Sequence, residues 1–139
     1  MRRRIGLLWI VGFFGLLAAA DAQTPSSSTA GAPFDGTYRF VSSAKVNKTY
    51  VTRGGQMGQC PDRSAGPLTI VMGQARYTSA TGYQLEGTVG SQGELAMRAA
   101  GPGQSQPIEI TVSGRIDGAG TVRARQSSNS CSYDFVWRK

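Results

Sequence analysis

The chain predicts an all-β fold: a single small antiparallel barrel of about eight up-and-down strands, or a compact sandwich. Three observations carry this. Short runs of alternating polarity recur from Phe34 to the end of the 139-residue chain. Glycine-bearing turn sequences separate those runs at short, even spacing. No stretch of useful length repeats its apolar residues at the period of an amphipathic helix.

The first element is a targeting segment. Arg2, Arg3 and Arg4 precede an apolar run from Ile5 to Ala20, which ends in the small-residue pattern Ala20-Asp21-Ala22 before Gln23. A positive stretch, an apolar core and an A-x-A site in that order read as a secretory signal peptide, residues 1–22, and the apolar run is short for a membrane span. The polar residues that usually surround a twin-arginine pair are missing, which favours the general secretory route. No cysteine follows the apolar run, which argues against a lipid anchor. Residues 23–33, Gln-Thr-Pro-Ser-Ser-Ser-Thr-Ala-Gly-Ala-Pro, are polar and aperiodic, and read as a disordered leader. The span 34–139 is long enough for one compact domain and too short for two.

Within that domain, strands are expected at Phe34 to Val41, Leu68 to Met72, Ala75 to Ala80, Tyr83 to Val89, Glu94 to Ala100, Ile108 to Ile116, Thr121 to Gln126 and Cys131 to Arg138, with Lys45 to Val51 as a weaker candidate. Thr81-Gly82, Gly90-Ser91-Gln92-Gly93, Gly101-Pro102-Gly103 and Asp117-Gly118-Ala119-Gly120 supply residues that tolerate positive φ, so hairpins should join the strands. Alternation assigns the faces. Cys131, Tyr133, Phe135 and Trp137 share one side of the last strand, and Phe34, Gly36, Tyr38 and Phe40 one side of the first. These two aromatic-rich strands are expected to pair and close the barrel. Leu68, Ile70 and Met72, Leu85, Gly87 and Val89, Leu95, Met97 and Ala99, and Ile108, Ile110 and Val112 complete the interior. Small residues among them leave either a packed core or a small cavity.

Composition narrows the chemistry. The chain has no histidine and only two cysteines, which removes the commonest general base, metal ligand and nucleophile together. The remaining acids, Asp35, Asp62, Glu86, Glu94, Glu109, Asp117 and Asp134, fall on outward strand positions or in turns, where cross-strand ion pairing is their ordinary role. A non-enzyme without cofactor or metal is the expectation.

Cys60 and Cys131 are an even count in an exported chain and are expected to form a disulfide. Between residues 52 and 66 runs the longest stretch without strand character, and long loops in compact domains carry function or move. Its glycines do not fit a phosphate-binding loop, since no Gly-Lys-Ser/Thr follows. Anchored by Cys60, it should lie across one barrel mouth as a cap, a lid or an epitope, with Arg53, Met57 and Arg63 as its candidate contact residues. Asn47-Lys48-Thr49 also fits the glycosylation acceptor pattern, which short sequences produce by chance.

Charge supplies the other surface. The net charge is +7, from fifteen basic and eight acidic residues; loss of Arg2, Arg3, Arg4 and Asp21 with the signal leaves twelve against seven, a net +5. Arg39, Arg123, Arg125 and Arg138 face outward on the first and the last two strands and would form one stripe, diluted by Asp35 and Asp134. Such a stripe suits an anionic polymer. Nucleic-acid readers interleave exposed aromatics with basic residues, and the aromatics here point inward, which argues against nucleic acid.

Phe34-Asp35-Gly36-Thr37-Tyr38, Gly114-Arg115-Ile116-Asp117-Gly118-Ala119-Gly120 and Cys131-Ser132-Tyr133-Asp134-Phe135-Val136-Trp137 together resemble small exported bacterial β-barrel proteins of unassigned function. At fold level the chain is similar to lipocalin-like, avidin-like and barrel-type inhibitor proteins. The resemblance implies a fold and no activity, and carries over no ligand-contacting residue. The expectation is thus a periplasmic or secreted binding module for a small ligand or anionic envelope component, or else an inhibitor presenting the pinned loop 52–66 to a protein partner.

Overall fold

The structure is a computed structural model that describes residues 32–99 and 109–139. The expected signal peptide, nearly all of the leader, Ala100, the 101–103 turn and Ile108 lie outside the described residues. After a turn of 3-10 helix at Ala32–Phe34, ten strands follow: β1 (Gly36–Lys45), β2 (Thr49–Val51), β3 (Met57–Gln59), β4 (Leu68–Val71), β5 (Gln74–Thr78), β6 (Gln84–Val89), β7 (Glu94–Ala99), β8 (Thr111–Ile116), β9 (Thr121–Ser127) and β10 (Ser132–Arg138). Eight form a closed antiparallel barrel in the order β1-β10-β9-β8-β7-β6-β5-β4, and β2 and β3 form a separate hairpin. The sandwich alternative is thereby set aside.

Closure follows the aromatic strands. β1 pairs with β10 along Arg39↔Arg138 to Lys45↔Tyr133, and with β4 over Gly36 to Tyr38. Inward residues at even spacing along the strands are buried: Leu68 and Ile70, Ala75 and Tyr77, Leu85 and Val89, Leu95 and Met97, and Tyr133, Phe135 and Trp137. The register slips between Phe40 and Ser42, so Val41 is an extra residue opposite the Trp137-Val136 step. That bulge reverses the parity of β1. Ser43 and Lys45 then pair with Phe135 and Tyr133 in place of the even-numbered residues.

The interior is packed with rings. Trp137 lies 5.4 Å from Phe135 and 5.3 Å from Tyr77, centroid to centroid, and Phe40 meets Phe135 edge-on at 5.8 Å. Gly87, expected to leave room, does something else, as does Gly114. A Cβ on Gly87 would stand 1.9 Å from the Ala96 carbonyl oxygen, and one on Gly114 2.2 Å from that of Arg123. At both positions the neighbouring strand's backbone fills the space, as a tightly curled sheet requires.

Two expectations need correction. Met72 is not a core residue but is 64 % exposed, because β4 stops at Val71 and Met72 turns the chain with φ of 52°. The Asp35 carboxylate accepts from the Met72 and Gly73 backbone N–H groups at 2.7 and 3.0 Å, so Asp35 staples this turn and does not dilute the basic stripe. Replacing it with alanine leaves both donors without this partner, and Asp35→Ala should cost about 1–3 kcal/mol in urea denaturation. A loss within error of zero would assign the turn's stability to its backbone alone. The second correction concerns residues 52–66, which are not one strandless loop: Met57–Gln59 forms β3, paired with β2 through Thr49↔Gln59 and Val51↔Met57.

Candidate functional site: a capped barrel mouth and an arginine wall

At one end of the barrel the Cys60–Cys131 disulfide joins the end of the hairpin to the start of β10. Asn47 reinforces the joint. Its Nδ2 donates to the Thr49 and Ser130 carbonyls at 3.0 and 2.8 Å, and its Oδ1 accepts from the Ser132 N–H at 2.8 Å. The sequon residue thus serves as a clasp, a role that nothing in its local sequence signalled. Tyr50 lies over Gly58 on the opposite strand, where a Cβ would stand 2.4 Å from the ring, and turns toward the mouth.

From the bridge the chain crosses the mouth as expected of a cap. The Tyr133 hydroxyl donates to the Pro61 carbonyl at 2.8 Å, the Ser43 hydroxyl to that of Arg63, and the Trp137 Nε1 to that of Gly66 at 3.0 Å. Lys45 pairs with Asp62 at 2.9 Å. On the far side the Gly66 N–H donates to the Thr78 carbonyl at 2.9 Å. Two inward residues of β10, Tyr133 and Trp137, and the exposed Ser43 of β1 thus hold the segment through its backbone carbonyls.

Beneath lies a cavity of about 250 Å³, lined by residues that include Tyr50, Arg63, Ser79, Gln126, Ser130 and Tyr133. Gln126 and Ser79 are each only 8 % exposed. The Tyr77 hydroxyl donates to Gln126 Oε1, and burial pushes the Tyr77 phenol upward, so this donor stays protonated at physiological pH. Arg63 therefore sits on the mouth. Arg53 and Met57, the other two residues expected to act with it, lie exposed on the hairpin instead, with Met57 at 68 % opposite Val51 at 66 %.

The second feature is the barrel wall over β1, β10, β9 and β8. Arg39, Arg123, Arg125 and Arg138 are all exposed on it. Register places Arg39 directly opposite Arg138, and Arg123 opposite Arg115 and Val136, one diagonal step from Arg138. Four neighbouring strands thus present one arginine each, a ladder about 14 Å long at the usual interstrand spacing. Arg115 was legible from parity, since Val112, Gly114 and Ile116 point inward, but without the β8–β9 pairing nothing marked it as a neighbour of Arg123. Arg125 is separate. Its guanidinium makes two bonds to Asp134, at 2.7 and 3.0 Å, which hold that carboxyl below the ordinary range chiefly by hydrogen bonding. Among the described residues, the one contact within the ladder to an acid is Arg115 to Glu94 at 3.9 Å.

Two other carboxylates have structural partners. Glu86 pairs with Arg76, and Asp117 accepts from the Ala119 and Thr121 N–H groups within its turn. No group of three or more His, Cys, Asp or Glu side chains among the described residues is placed to hold a metal ion.

No family model, curated protein or solved structure matches the chain. Of the expected resemblance, the eight-strand antiparallel barrel is present, and no solved structure supports a likeness to lipocalin-like or avidin-like proteins. The disulfide is consistent with an oxidising compartment outside the cytoplasm.

Proposed function

We propose that the protein is a non-catalytic binding module, exported to the periplasm or beyond, whose arginine wall holds an anionic envelope polymer. The observation that carries this reading is the ladder Arg39, Arg138, Arg123 and Arg115. Two of its neighbours are like-charged pairs directly across strands, an arrangement that costs stability in a sheet. Arg76 on β5 and Arg125 on the same wall pair closely with acids, whereas among the described residues the ladder has one acidic contact, Arg115 to Glu94 at 3.9 Å. Arginine's planar fork binds phosphate or sulfate bidentately, and a row of four spans successive anionic groups of one linear chain.

The test is binding of long-chain polyphosphate to the oxidised exported protein at several salt concentrations. Affinity should fall steeply with salt, as for a surface that releases about four counterions. Arg115→Gln with Arg123→Gln should weaken binding by at least about tenfold, or 1.4 kcal/mol, while Arg76→Gln on β5 leaves it unchanged. Equal loss in the Arg76 variant would reduce the effect to net charge and remove the site.

A second reading has one observation of its own. Val51 and Met57 face each other across the hairpin, both about two-thirds exposed, with Arg53 at its turn, and exposed apolar pairs of this kind suit a protein partner. A stoichiometric partner that is lost on Met57→Ser and kept in the arginine variants would favour that reading.

A further inference from the structure

The mouth cavity carries an assignment independent of the arginine wall. Its deep polar group is Gln126, 8 % exposed. A buried primary amide needs partners on both sides. The Oε1 side has one in the Tyr77 hydroxyl, which fixes the amide's orientation. The Nε2 side meets no acceptor among the described residues, and Gln126 lines the cavity. Two oriented donors thus wait for an acceptor from outside.

The rest of the lining selects that acceptor. Among the described residues Arg63 is the one charged side chain on the cavity and no carboxylate lines it, so its field favours an anion. Tyr50 and Tyr133 add ring faces, and Ser79 and Ser130 add hydroxyl and backbone polarity. At about 250 Å³ the space falls just short of the ~300–1,000 Å³ of ordinary small-molecule pockets. That admits one ring or a short chain. The geometry points to a site for a small organic carboxylate, its carboxylate taken by the Gln126 amide and the Arg63 guanidinium and its body placed against Tyr50 and Tyr133. A charge-assisted bond to the acid supplies the selectivity over neutral analogues.

Ligand-observed NMR on the oxidised exported protein tests this with glucuronate and benzoate as probes, beside their neutral counterparts glucose and benzamide. At least one acid should bind with a dissociation constant of about 1 mM or tighter, and its neutral counterpart at least about tenfold more weakly. Gln126→Glu keeps an acceptor for Tyr77 and replaces the donors with negative charge, so it should abolish acid binding. Arg63→Gln, on the rim, should weaken it about tenfold and decides alone if the Gln126 variant folds poorly. Equal binding of acid and neutral probe overturns the assignment, as does no acid binding at about 10 mM, or wild-type affinity in a folded Gln126→Glu protein. Loss in Arg123→Gln with none in Gln126→Glu places the acid on the outer wall, which overturns it too. Polyphosphate binding read on the same variants scores the wall separately, so either proposal can fail alone.

Discussion

Replacing both Cys60 and Cys131 with alanine is expected to lower the unfolding free energy by about 4 kcal/mol. The bridge spans a sequence separation of 71, and a crosslink closing so long a loop removes much conformational freedom from the unfolded chain. Both cysteines are buried, at 2 % and 8 % exposure, so the loss includes two core contacts. For a domain of this size the melting temperature should drop by roughly 15–30 °C. Thermal and urea denaturation of the oxidised protein and the double variant measure it; a difference below about 5 °C would mean that Asn47 and the capping hydrogen bonds hold the mouth without the bridge. Function should follow stability here. The bridge anchors the hairpin and the start of the cap, so backbone hydrogen exchange over residues 60–66 should accelerate in the variant, and binding of acids in the mouth should weaken before the barrel itself melts.

Trp137→Ala is the second large effect, at about 3–5 kcal/mol. Trp137 is fully buried, meets Phe40, Tyr77 and Phe135, and donates from Nε1 to the Gly66 carbonyl where the cap re-enters the barrel wall. Two losses combine at one residue: the packing of the barrel centre and the far anchor of the cap. Trp137→Phe separates them. It keeps a ring and removes the donor, so it should cost about 1–3 kcal/mol, the price of an unpaired carbonyl plus a modest change of volume. Urea denaturation of the pair gives both numbers. If Trp137→Ala cost less than about 1 kcal/mol, the interior would have to repack far more freely than close-packed rings allow.

Much of the barrel was legible because a strand with one buried face writes its parity into the sequence. Tyr133, Phe135 and Trp137 had only one plausible side, and their match with Tyr38 and Phe40 marked the closing pair. Parity carries across a strand only while pairing stays regular, and the bulge at Val41 broke it, turning Ser43 and Lys45 into mouth residues that the alternation alone had left unassigned. Of the β2–β3 hairpin only β2 was foreshadowed, by the weaker candidate Lys45 to Val51, and β3 was missed for a related reason. Three-residue strands such as Thr49–Val51 and Met57–Gln59 are too short to show a period, and both present exposed residues on one face. Met72 was misplaced because an apolar side chain at the end of an alternating run looks inward until a turn claims it.

By itself the sequence determined the fold class, the closing strands and the cysteine pair, since each depends on residue type and spacing along one chain. Only the tertiary structure decided whether Gly87 opens a cavity or admits a neighbouring backbone, and it decided for the backbone. It alone brought Arg115 beside Arg123 and set Gln126 beneath the cap, with one side of its amide held by Tyr77. Those juxtapositions join residues far apart in the chain through register and closure. The physical reason is that pairing between strands is a property of the closed sheet, and no local pattern of side chains encodes it.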